Sequence, residues 1–371
     1  MMENKEFGAR ISRLIGKGNL TRRETREMFD ELMTNSQPDL QQGAFLAALS
    51  AKGETSEEMA GAWEAIYEMD TVKASPVTPK PLLENSGTGM DTFKTFNVST
   101  GAALVSAAAG NYMARHGARA LSSRCGTIDL VEALGVDVEC PALMVKTSVE
   151  QCGIGIFNGM SARIHPQALF RILSQIHFGS TLNISASLAN PALPHYGARG
   201  VFAHGMVLPV AELMKVIGYT NALIFHGSNG KGLGLDEVSI LGETIFAEIK
   251  DNRITTFTMT PSDFNIAEAD DSELVPGDLE TEAAMMVQLL AGKLGGARED
   301  MVAVNAAPLL YLGGQTSTIV EGYKAAKEII ASGLALAKLR QWVSCQNQNP
   351  ANGSATLNQI IERVEKALPV Q

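Results

Sequence analysis

The sequence predicts an α/β protein in which a small helical domain precedes a large α/β domain with a mostly parallel central sheet. Near the N-terminus, apolar residues such as Phe45, Leu46 and Leu49 recur at helical spacing. Further along, short apolar runs alternate with helical segments across glycine-rich turns, which is typical of strands joined by helices. A chain of 371 residues is long enough for two such domains.

Two helix starts are marked by residue spacing in the N-terminal region. Thr21 is followed by Glu24, and Thr55 by Glu58, which is the spacing of a capping box. The proline-containing stretch "TVKASPVTPKP" at 71–81 is interpreted as a linker.

Beyond the linker, strands and helices are expected in alternation. "LVSAAAGNYMARHG" predicts a helix and then a strand, whereas "EDMVAVNAAPLLYLGG" is interpreted as a strand followed by a helix. The polar stretch from about residue 345 is expected to form turns before a final helix in "LNQIIERVEKAL". The predicted organisation is a helical domain at 1–72, joined by about 166–190, an α/β domain at 81–165 and 191–340, and a C-terminal extension at 341–371.

Composition and charge exclude several classes of protein. Hydrophobic residues make up 45% of the chain and charged residues 19%, as in globular proteins. The formal net charge is −10, and no long Lys/Arg run is present, which argues against nucleic-acid binding. The four cysteines lack metal-ligand spacing, and no apolar run is long enough for a signal peptide or a membrane span. We therefore expect a cytoplasmic protein with reduced thiols and no membrane partner.

The stretch "NSGTGMDTFKTFNVSTG" at 85–101 has the composition of a phosphate-binding loop. Gly87 and Gly89 allow a ligand to approach the backbone closely. Ser99 and Thr100 precede a good helix-forming sequence and are expected at its N-cap, where free N–H groups attract phosphate. Taken alone, the stretch is equally consistent with an ordinary glycine turn before a capped helix.

Two further loops strengthen the phosphate-binding interpretation. The segment "ARHGARALSSRCGT" at 114–127 is rich in arginine and hydroxyl side chains. In "GLGLDEVS", Asp236 and Glu237 follow an apolar strand through a glycine-rich loop, and such carboxylates suit Mg²⁺ that also binds substrate phosphates. An isolated Asp-Glu pair would more simply be a solvated acidic turn, so the metal interpretation depends on the other two loops.

Together these segments resemble the anthranilate phosphoribosyltransferase family. The resemblance rests on "GTGMD", "TFNVST", "RHGARALSSRCG", the His-Pro pair at 165–166, "LANPA", "LIFHG" and "GLDEVS", in order from about residue 8 to 340. It implies a fold of the nucleoside phosphorylase/phosphoribosyltransferase type and a homodimer with the active site in the cleft between two domains. It also implies that phosphoribosyl pyrophosphate, bound with Mg²⁺, donates its phosphoribosyl group to an aromatic nitrogen acceptor.

The resemblance assigns roles residue by residue and requires no covalent nucleophile. Arg115 stands where the family has a lysine, and Cys125 is interpreted as a packing residue. The residues implied for phosphoribosyl pyrophosphate are Gly87, Thr88, Gly89, Asp91, Thr95, Asn97, Val98, Ser99, Thr100, Arg115, Ser123 and Thr127. Those implied for the metal are Ser99, Asp236 and Glu237, and those for the acceptor pocket are His116, Gly117, Ala118, Arg163, His165, Ser174 and Gln175.

The sequence departs from the family pattern where the family recognises anthranilate. Ala118 replaces an asparagine, and the segment after His165 is about two residues shorter, so that Ser174 or Gln175 stands near the position of an arginine that pairs with the substrate carboxylate. Met90 replaces a glycine of the glycine-rich loop. Burying a carboxylate without a cation costs several kcal/mol. We therefore expect an acceptor other than anthranilate, either an aromatic amine or a nitrogen heterocycle.

Three alternatives stay open at this point. The chain is a true anthranilate phosphoribosyltransferase if another residue pairs with the carboxylate. It is a non-catalytic, nucleic-acid-binding relative if a basic groove exists, although the charge of −10 argues against this. It is a nucleoside phosphorylase if it cleaves nucleosides with phosphate.

Overall fold

The computed structural model describes residues 2–119, 125–267 and 269–367. The helices are α1 (Asn4–Ile15), α2 (Arg22–Met33), α3 (Asp39–Lys52), α4 (Ser56–Asp70), α5 (Val98–Ala108), α6 (Thr127–Ala133), α7 (Ala142–Cys152), α8 (Leu169–Leu173), α9 (Leu182–Leu188), α10 (Val207–Val216), α11 (Leu279–Leu290), α12 (Gly296–Leu312), α13 (Ile319–Ala331), α14 (Leu334–Cys345) and α15 (Pro350–Ala367). The strands are β1 (Leu82–Gly87), β2 (Tyr112–Gly117), β3 (Ile154–Asn158), β4 (Tyr196–Gly200), β5 (Asn221–Ser228), β6 (Gly234–Leu235), β7 (Thr244–Lys250) and β8 (Arg253–Met259).

The N-terminal helices α1 to α4 form a bundle with its own apolar core. The capping boxes expected at Thr21 and Thr55 are present at the starts of α2 and α4. Phe7, Phe29 and Phe45 meet edge to face inside this core, an arrangement that aromatic rings prefer. Apolar residues of α8 and α9 belong to the same core cluster. This packing supports the prediction that 166–190 joins the helical domain, although the division into domains remains a prediction.

The larger part of the chain is built on one mixed sheet with the strand order β3-β2-β1-β4-β5-β7-β8, and β6 pairs with β5. Neighbours from β3 to β5 are parallel, and β6, β7 and β8 are added in antiparallel orientation. The carboxyl ends of β1, β2, β4 and β5 therefore lie along one edge of the sheet, which is where ligands bind in open α/β folds. The predicted fold class is confirmed.

Three local expectations differ from the structure. The stretch "EDMVAVNAAPLLYLGG" contains no strand, because nearly all of it belongs to helix α12. This helix is buried along most of its length, so its sequence lacks the polar face that would reveal a helical period. Helix α15 begins at Pro350, so most of the stretch expected to form turns is helical. Helix α5 begins at Val98 with Asn97 as its N-cap, so Ser99 and Thr100 lie within its first turn.

The C-terminal extension completes the edge of the sheet at β3. The side-chain amide of Gln346, which is fully buried, donates to the Ile156 carbonyl and accepts from the Ile156 N–H, both at 2.9 Å. The same amide oxygen accepts from the indole N–H of Trp342 at 2.9 Å. Gln346 thus substitutes for a neighbouring strand residue and leaves these buried polar groups paired. Among the described residues, no helix is long and apolar enough to cross a membrane.

We predict that Gln346→Ala lowers the free energy of unfolding by about 3 kcal/mol, because it leaves the polar groups of Ile156 and Trp342 buried without partners. The matched control is Gln348→Ala, since Gln348 is exposed and bonds Asp137 at the surface. The control is expected to cost less than about 1 kcal/mol. Urea unfolding measures both, and equal losses for the two variants would contradict the role given to Gln346.

Candidate active site

The centre of the site is the Asp236–Glu237 segment, which lies directly on the carboxyl ends of three strands. A Cβ added to Gly87 would lie 2.1 Å from the Asp236 Oδ2, and one added to Gly200 would lie 1.6 Å from the Asp236 carbonyl oxygen. A Cβ on Gly227 would lie 2.4 Å from the Glu237 carbonyl oxygen. Real Cβ atoms do not approach so closely, so β1, β4 and β5 each need glycine there.

The glycine-rich loop between β1 and α5 is attached to the same segment. The Gly89 N–H donates to the Asp236 carboxylate at 2.7 Å, and Gly89 has a left-handed φ of 66°. The N–H groups of Thr92 and Phe93 donate to the Gly234 carbonyl at 3.2 and 3.0 Å, and the Gly234 N–H donates to the Thr92 hydroxyl at 2.8 Å. These bonds hold the loop against the residues that precede Asp236.

Helix α5 points its N-terminus at this centre without a side-chain cap. The amide of its N-cap, Asn97, instead donates to the Cys125 carbonyl at 3.3 Å and accepts from the Thr127 hydroxyl at 3.5 Å, so it connects the first and second loops. The N–H groups at this helix start have partners: that of Val98 donates to the Phe96 carbonyl at 2.7 Å, and that of Ser99 lowers the pKa of Glu237. The positive end of the helix therefore faces a carboxylate of the centre. Burial raises the pKa of the Cys125 thiol to about 11, in keeping with a packing role.

Arg115 is buried beneath the start of α5 rather than exposed in the cleft. Its guanidinium donates to Asn85 at 3.0 Å, to the Thr100 hydroxyl at 2.9 Å and to the Ser99 hydroxyl at 2.9 Å. Burial lowers its pKa to about 10, while the charge of Glu237 opposes that change. The arginine therefore stays charged, orients Ser99 and supplies positive charge behind Glu237.

Carboxylates crowd the centre of the site and raise one another's pKa. Burial, together with the charge of Asp91, raises the pKa of Asp236 to about 7. Burial and both aspartates raise the pKa of Glu237 well above its usual range, whereas Arg115 and the Ser99 N–H lower it. Burial also raises the pKa of Asp91, against the effect of the neighbouring Lys94. Such a cluster is poorly balanced in charge without an added cation.

The donor set fits Mg²⁺. Mg²⁺ takes oxygen ligands and is commonly held by one or two carboxylates, with waters and substrate phosphates completing the shell. Asp236, Glu237 and the hydroxyl of Ser99 supply such oxygens at the helix start. Across the described residues, no three or more His, Cys, Asp and Glu side chains are arranged as a metal cluster.

The remaining residues expected at the phosphoribosyl pyrophosphate site occupy varied positions. Thr88 is buried, and its hydroxyl accepts from the Phe202 N–H at 3.0 Å. Val98 is buried, the Thr100 hydroxyl points to Arg115, and Thr95 is half-buried in the loop. Ser123 lies outside the described residues.

On the acceptor side, His116 and His165 form a buried pair with their Nε2 atoms 3.1 Å apart. Burial lowers the pKa of His116 to about 3 and that of His165 to about 4, so both rings are neutral. The Nδ1 of His116 lies 3.1 Å from the Ser187 carbonyl, and that of His165 lies 3.0 Å from the Asp70 carbonyl. The pair thus connects the end of β2 to the end of α4. After it come Gly117, whose carbonyl accepts from Gly159, and the exposed Ala118.

The candidate partners for an acceptor carboxylate lie elsewhere. Arg163 is exposed, and Ser174 and Gln175 are exposed at the end of α8. The guanidinium of Arg171 donates to the Leu32 carbonyl at 2.7 Å and to Gln42 at 3.3 Å, so it is engaged with the helical bundle.

Met90 adopts a left-handed φ of 65° and reaches across to the segment between α8 and α9. A Cβ on Gly179 would lie 2.0 Å from the Met90 sulfur. Close by, the side-chain amide of Asn183 donates to the Thr88 carbonyl at 3.3 Å. Met90 and Asn183 therefore fasten the glycine-rich loop to the helical segment.

Sequence reasoning missed Gly200, Gly227, Asn183 and Lys94. A pattern that could have revealed the glycines was present, because "NSG", "RHG", "ARG" and "FHG" each close an apolar strand with glycine. Nothing in the sequence indicated Asn183, whose role depends on how the α8–α9 segment packs.

Comparison with known proteins gives the class and then the family. Residues 79–336 match the model described as "Glycosyl transferase family, a/b domain", and residues 10–69 match "Glycosyl transferase family, helical bundle domain". The anthranilate phosphoribosyltransferase of Anaeromyxobacter dehalogenans strain 2CP-C is 35% identical over 337 residues, or 90% of this chain and 97% of that protein. That of Rhizobium rhizogenes strain K84 is 35% identical over 94% of this chain and 99% of its own.

A solved structure agrees with the sequence matches. The crystal structure of anthranilate phosphoribosyltransferase from Thermus thermophilus superposes with a TM-score of 0.81 at 33% identity and covers 91% of this chain and 98% of its own. The chain belongs to the anthranilate phosphoribosyltransferase family of glycosyltransferases.

We predict that Mg²⁺ binding to the free protein weakens about tenfold per pH unit below pH 7, because the metal must displace the proton from Asp236, whose pKa is about 7. Calorimetry in two buffers of different ionisation enthalpy should detect proton release from Asp236 at pH 6. Folding stability depends on pH in the opposite direction. The raised pKa makes the free energy of unfolding fall as the pH rises from 3.8, the ordinary value, to about 7. A pH-independent Mg²⁺ affinity would contradict the assignment.

We also predict that Asp236→Asn combined with Glu237→Gln abolishes Mg²⁺-dependent binding of phosphoribosyl pyrophosphate, since the isosteric amides remove both charges. The matched control is Asp263→Asn with Glu273→Gln, two exposed acids in short 3-10 helices elsewhere in the chain. The control should bind as the wild type does in titration calorimetry, and retained binding in the active-site variant would refute the metal ligands.

Proposed function

We propose that the protein is a Mg²⁺-dependent anthranilate phosphoribosyltransferase, which transfers the phosphoribosyl group of phosphoribosyl pyrophosphate to the amine of anthranilate. The observation that supports the donor half is the meeting of three elements at one sheet edge: the Asp236–Glu237 carboxylates, the start of α5 and the loop held through Gly89. The family relatives at 35% identity over most of their length support the acceptor.

The chain's own groups suit a reaction in which the bond from the sugar C1 to pyrophosphate breaks. Negative charge then grows on the pyrophosphate, and bound Mg²⁺ would neutralise part of it. The positive end of α5, with the Ser99 hydroxyl oriented by Arg115, is placed to stabilise the same charge. The amine attacks mainly because it is held in position, and no nucleophilic side chain is needed.

The expectation of an acceptor other than anthranilate is less well supported than anthranilate itself, since the comparisons point to anthranilate. One observation keeps another aromatic amine or nitrogen heterocycle as a second candidate. Ala118 offers no side-chain hydrogen bond, and Arg171 is engaged by Leu32 and Gln42 rather than free to pair with a carboxylate. Under the first candidate, Arg163, which is exposed, or Arg171, after leaving Leu32 and Gln42, would pair with the carboxylate.

Assembly as a homodimer and a cytoplasmic location belong to the same proposal, on the basis of family membership. The net charge of −10 argues against the nucleic-acid-binding alternative. The nucleoside phosphorylase alternative has no support among the relatives compared, which are anthranilate phosphoribosyltransferases.

The test is consumption of anthranilate, followed by its fluorescence, with phosphoribosyl pyrophosphate and Mg²⁺. We predict turnover, with a kcat on the order of 1–10 per second, near the typical enzyme value. Omission of Mg²⁺ and the Asp236→Asn, Glu237→Gln variant are the controls. If there is no turnover while calorimetry detects Mg²⁺-dependent donor binding, anthranilate is excluded and the second candidate stands; if neither is detected, the donor assignment fails as well.

A further inference from the structure

Lys94 is a cation at the mouth of the site to which neither the family pattern nor the mechanism above gives a role. It lies in the loop between β1 and α5, and its ammonium pairs with the carboxylate of Asp91. The side chain of Asp91 is only 6% exposed, whereas that of Lys94 is 45% exposed. The ammonium therefore lies between a buried carboxylate and the solvent that fills the cleft.

The influence of Lys94 extends beyond Asp91. Its charge lowers the pKa of Asp236 as well as that of Asp91, against burial, which raises both. The Gly89–Asp236 and Thr92–Gly234 hydrogen bonds fix the loop that carries it, so this proximity is built into the fold. Lys94 thus places a positive charge directly against a buried carboxylate of the site.

The other basic side chains near the carboxylates are less free to move. The guanidinium of Arg115 is buried with bonds to Asn85, Ser99 and Thr100. His226, whose charge also lowers the pKa of Asp91, directs its Nδ1 to the Val201 carbonyl at 2.8 Å. A lysine has a long flexible stem and three donors, so Lys94 is able to change partners without moving the backbone.

We propose that Lys94 is a charge-exchange residue, which neutralises the Asp91 carboxylate in the free protein and turns to the pyrophosphate oxygens when the Mg²⁺-bound donor enters. This inference rests on the proposed function. With Mg²⁺ held by Asp236 and Glu237, the Lys94 ammonium would be free to leave Asp91 and bind the anionic ligand. The exchange keeps the local charge nearly balanced in both states, which reduces the cost of holding either state in a partly buried cleft.

The proposal predicts effects of opposite sign for Lys94→Gln in titration calorimetry on the full chain. Mg²⁺ alone should bind about threefold more tightly, because a competing cation is gone. Mg²⁺ with phosphoribosyl pyrophosphate should bind about tenfold more weakly, because a charge-assisted contact to the pyrophosphate is lost. Lys94→Arg, which keeps the charge, should retain most of the donor affinity.

The matched control is Lys231→Gln, which makes the same change of net charge on a nearby loop. Lys231 has a side chain that is 66% exposed and pairs with Asp271. Lys231→Gln should leave the affinity for Mg²⁺ alone and the affinity for phosphoribosyl pyrophosphate with Mg²⁺ unchanged. Thermal unfolding of all variants checks that they fold. Unchanged or weaker binding of Mg²⁺ alone by Lys94→Gln would overturn the proposal, and so would unchanged donor binding.

Failure of the proposed function would look different. If the wild-type protein binds no phosphoribosyl pyrophosphate with Mg²⁺, both the function and the exchange are wrong. If it binds the donor and Lys94→Gln binds equally well, only the exchange is wrong.

Discussion

The site depends on one steric constraint, namely that the Asp236–Glu237 segment lies flush on the strand ends. Gly87, Gly200 and Gly227 leave room for its backbone and for the Asp236 carboxylate, and any side chain there would displace the segment. Once the segment is in place, Asp236 accepts the Gly89 N–H and thereby positions the glycine-rich loop. The loop in turn leads into α5, whose N-terminus faces Glu237. A contact between backbone and strand ends thus sets the geometry of the whole donor site.

The same arrangement explains why the free site is electrostatically incomplete. Asp91, Asp236 and Glu237 are brought together by the fold, and burial makes their charge expensive. The positive charges of Arg115 behind the site and Lys94 in front of it offset the negative charge of these carboxylates only in part. Under the proposed function, a divalent cation bound with a polyphosphate would supply the missing positive charge. Chemistry that stabilises departing pyrophosphate therefore follows from the way the fold balances its own carboxylates.

Much of the fold could be read from the sequence, and the failures have physical causes. The capping boxes at Thr21 and Thr55 and the alternation of strands with helices are local features, and both were predicted correctly. The sequence of helix α12 predicts a strand wrongly, because a buried helix has no polar face. The N-cap of α5 is Asn97 rather than Ser99 or Thr100, and its side chain bonds Cys125 instead of capping the helix, so no capping pattern marks the start. The direction of Arg115 and the pairing of Gln346 with β3 depend on distant packing, which spacing along the chain does not encode.

The central claim is that Asp236 and Glu237 hold the metal that receives the pyrophosphate. The most direct measurement is a crystal structure with phosphoribosyl pyrophosphate and Mn²⁺ in place of Mg²⁺, with the metal located by its anomalous scattering. The account predicts a peak about 2.0–2.3 Å from oxygens of these two carboxylates and from a pyrophosphate oxygen at the start of α5. A metal bound to the donor but away from both carboxylates, or a donor bound at another edge of the sheet, would contradict it.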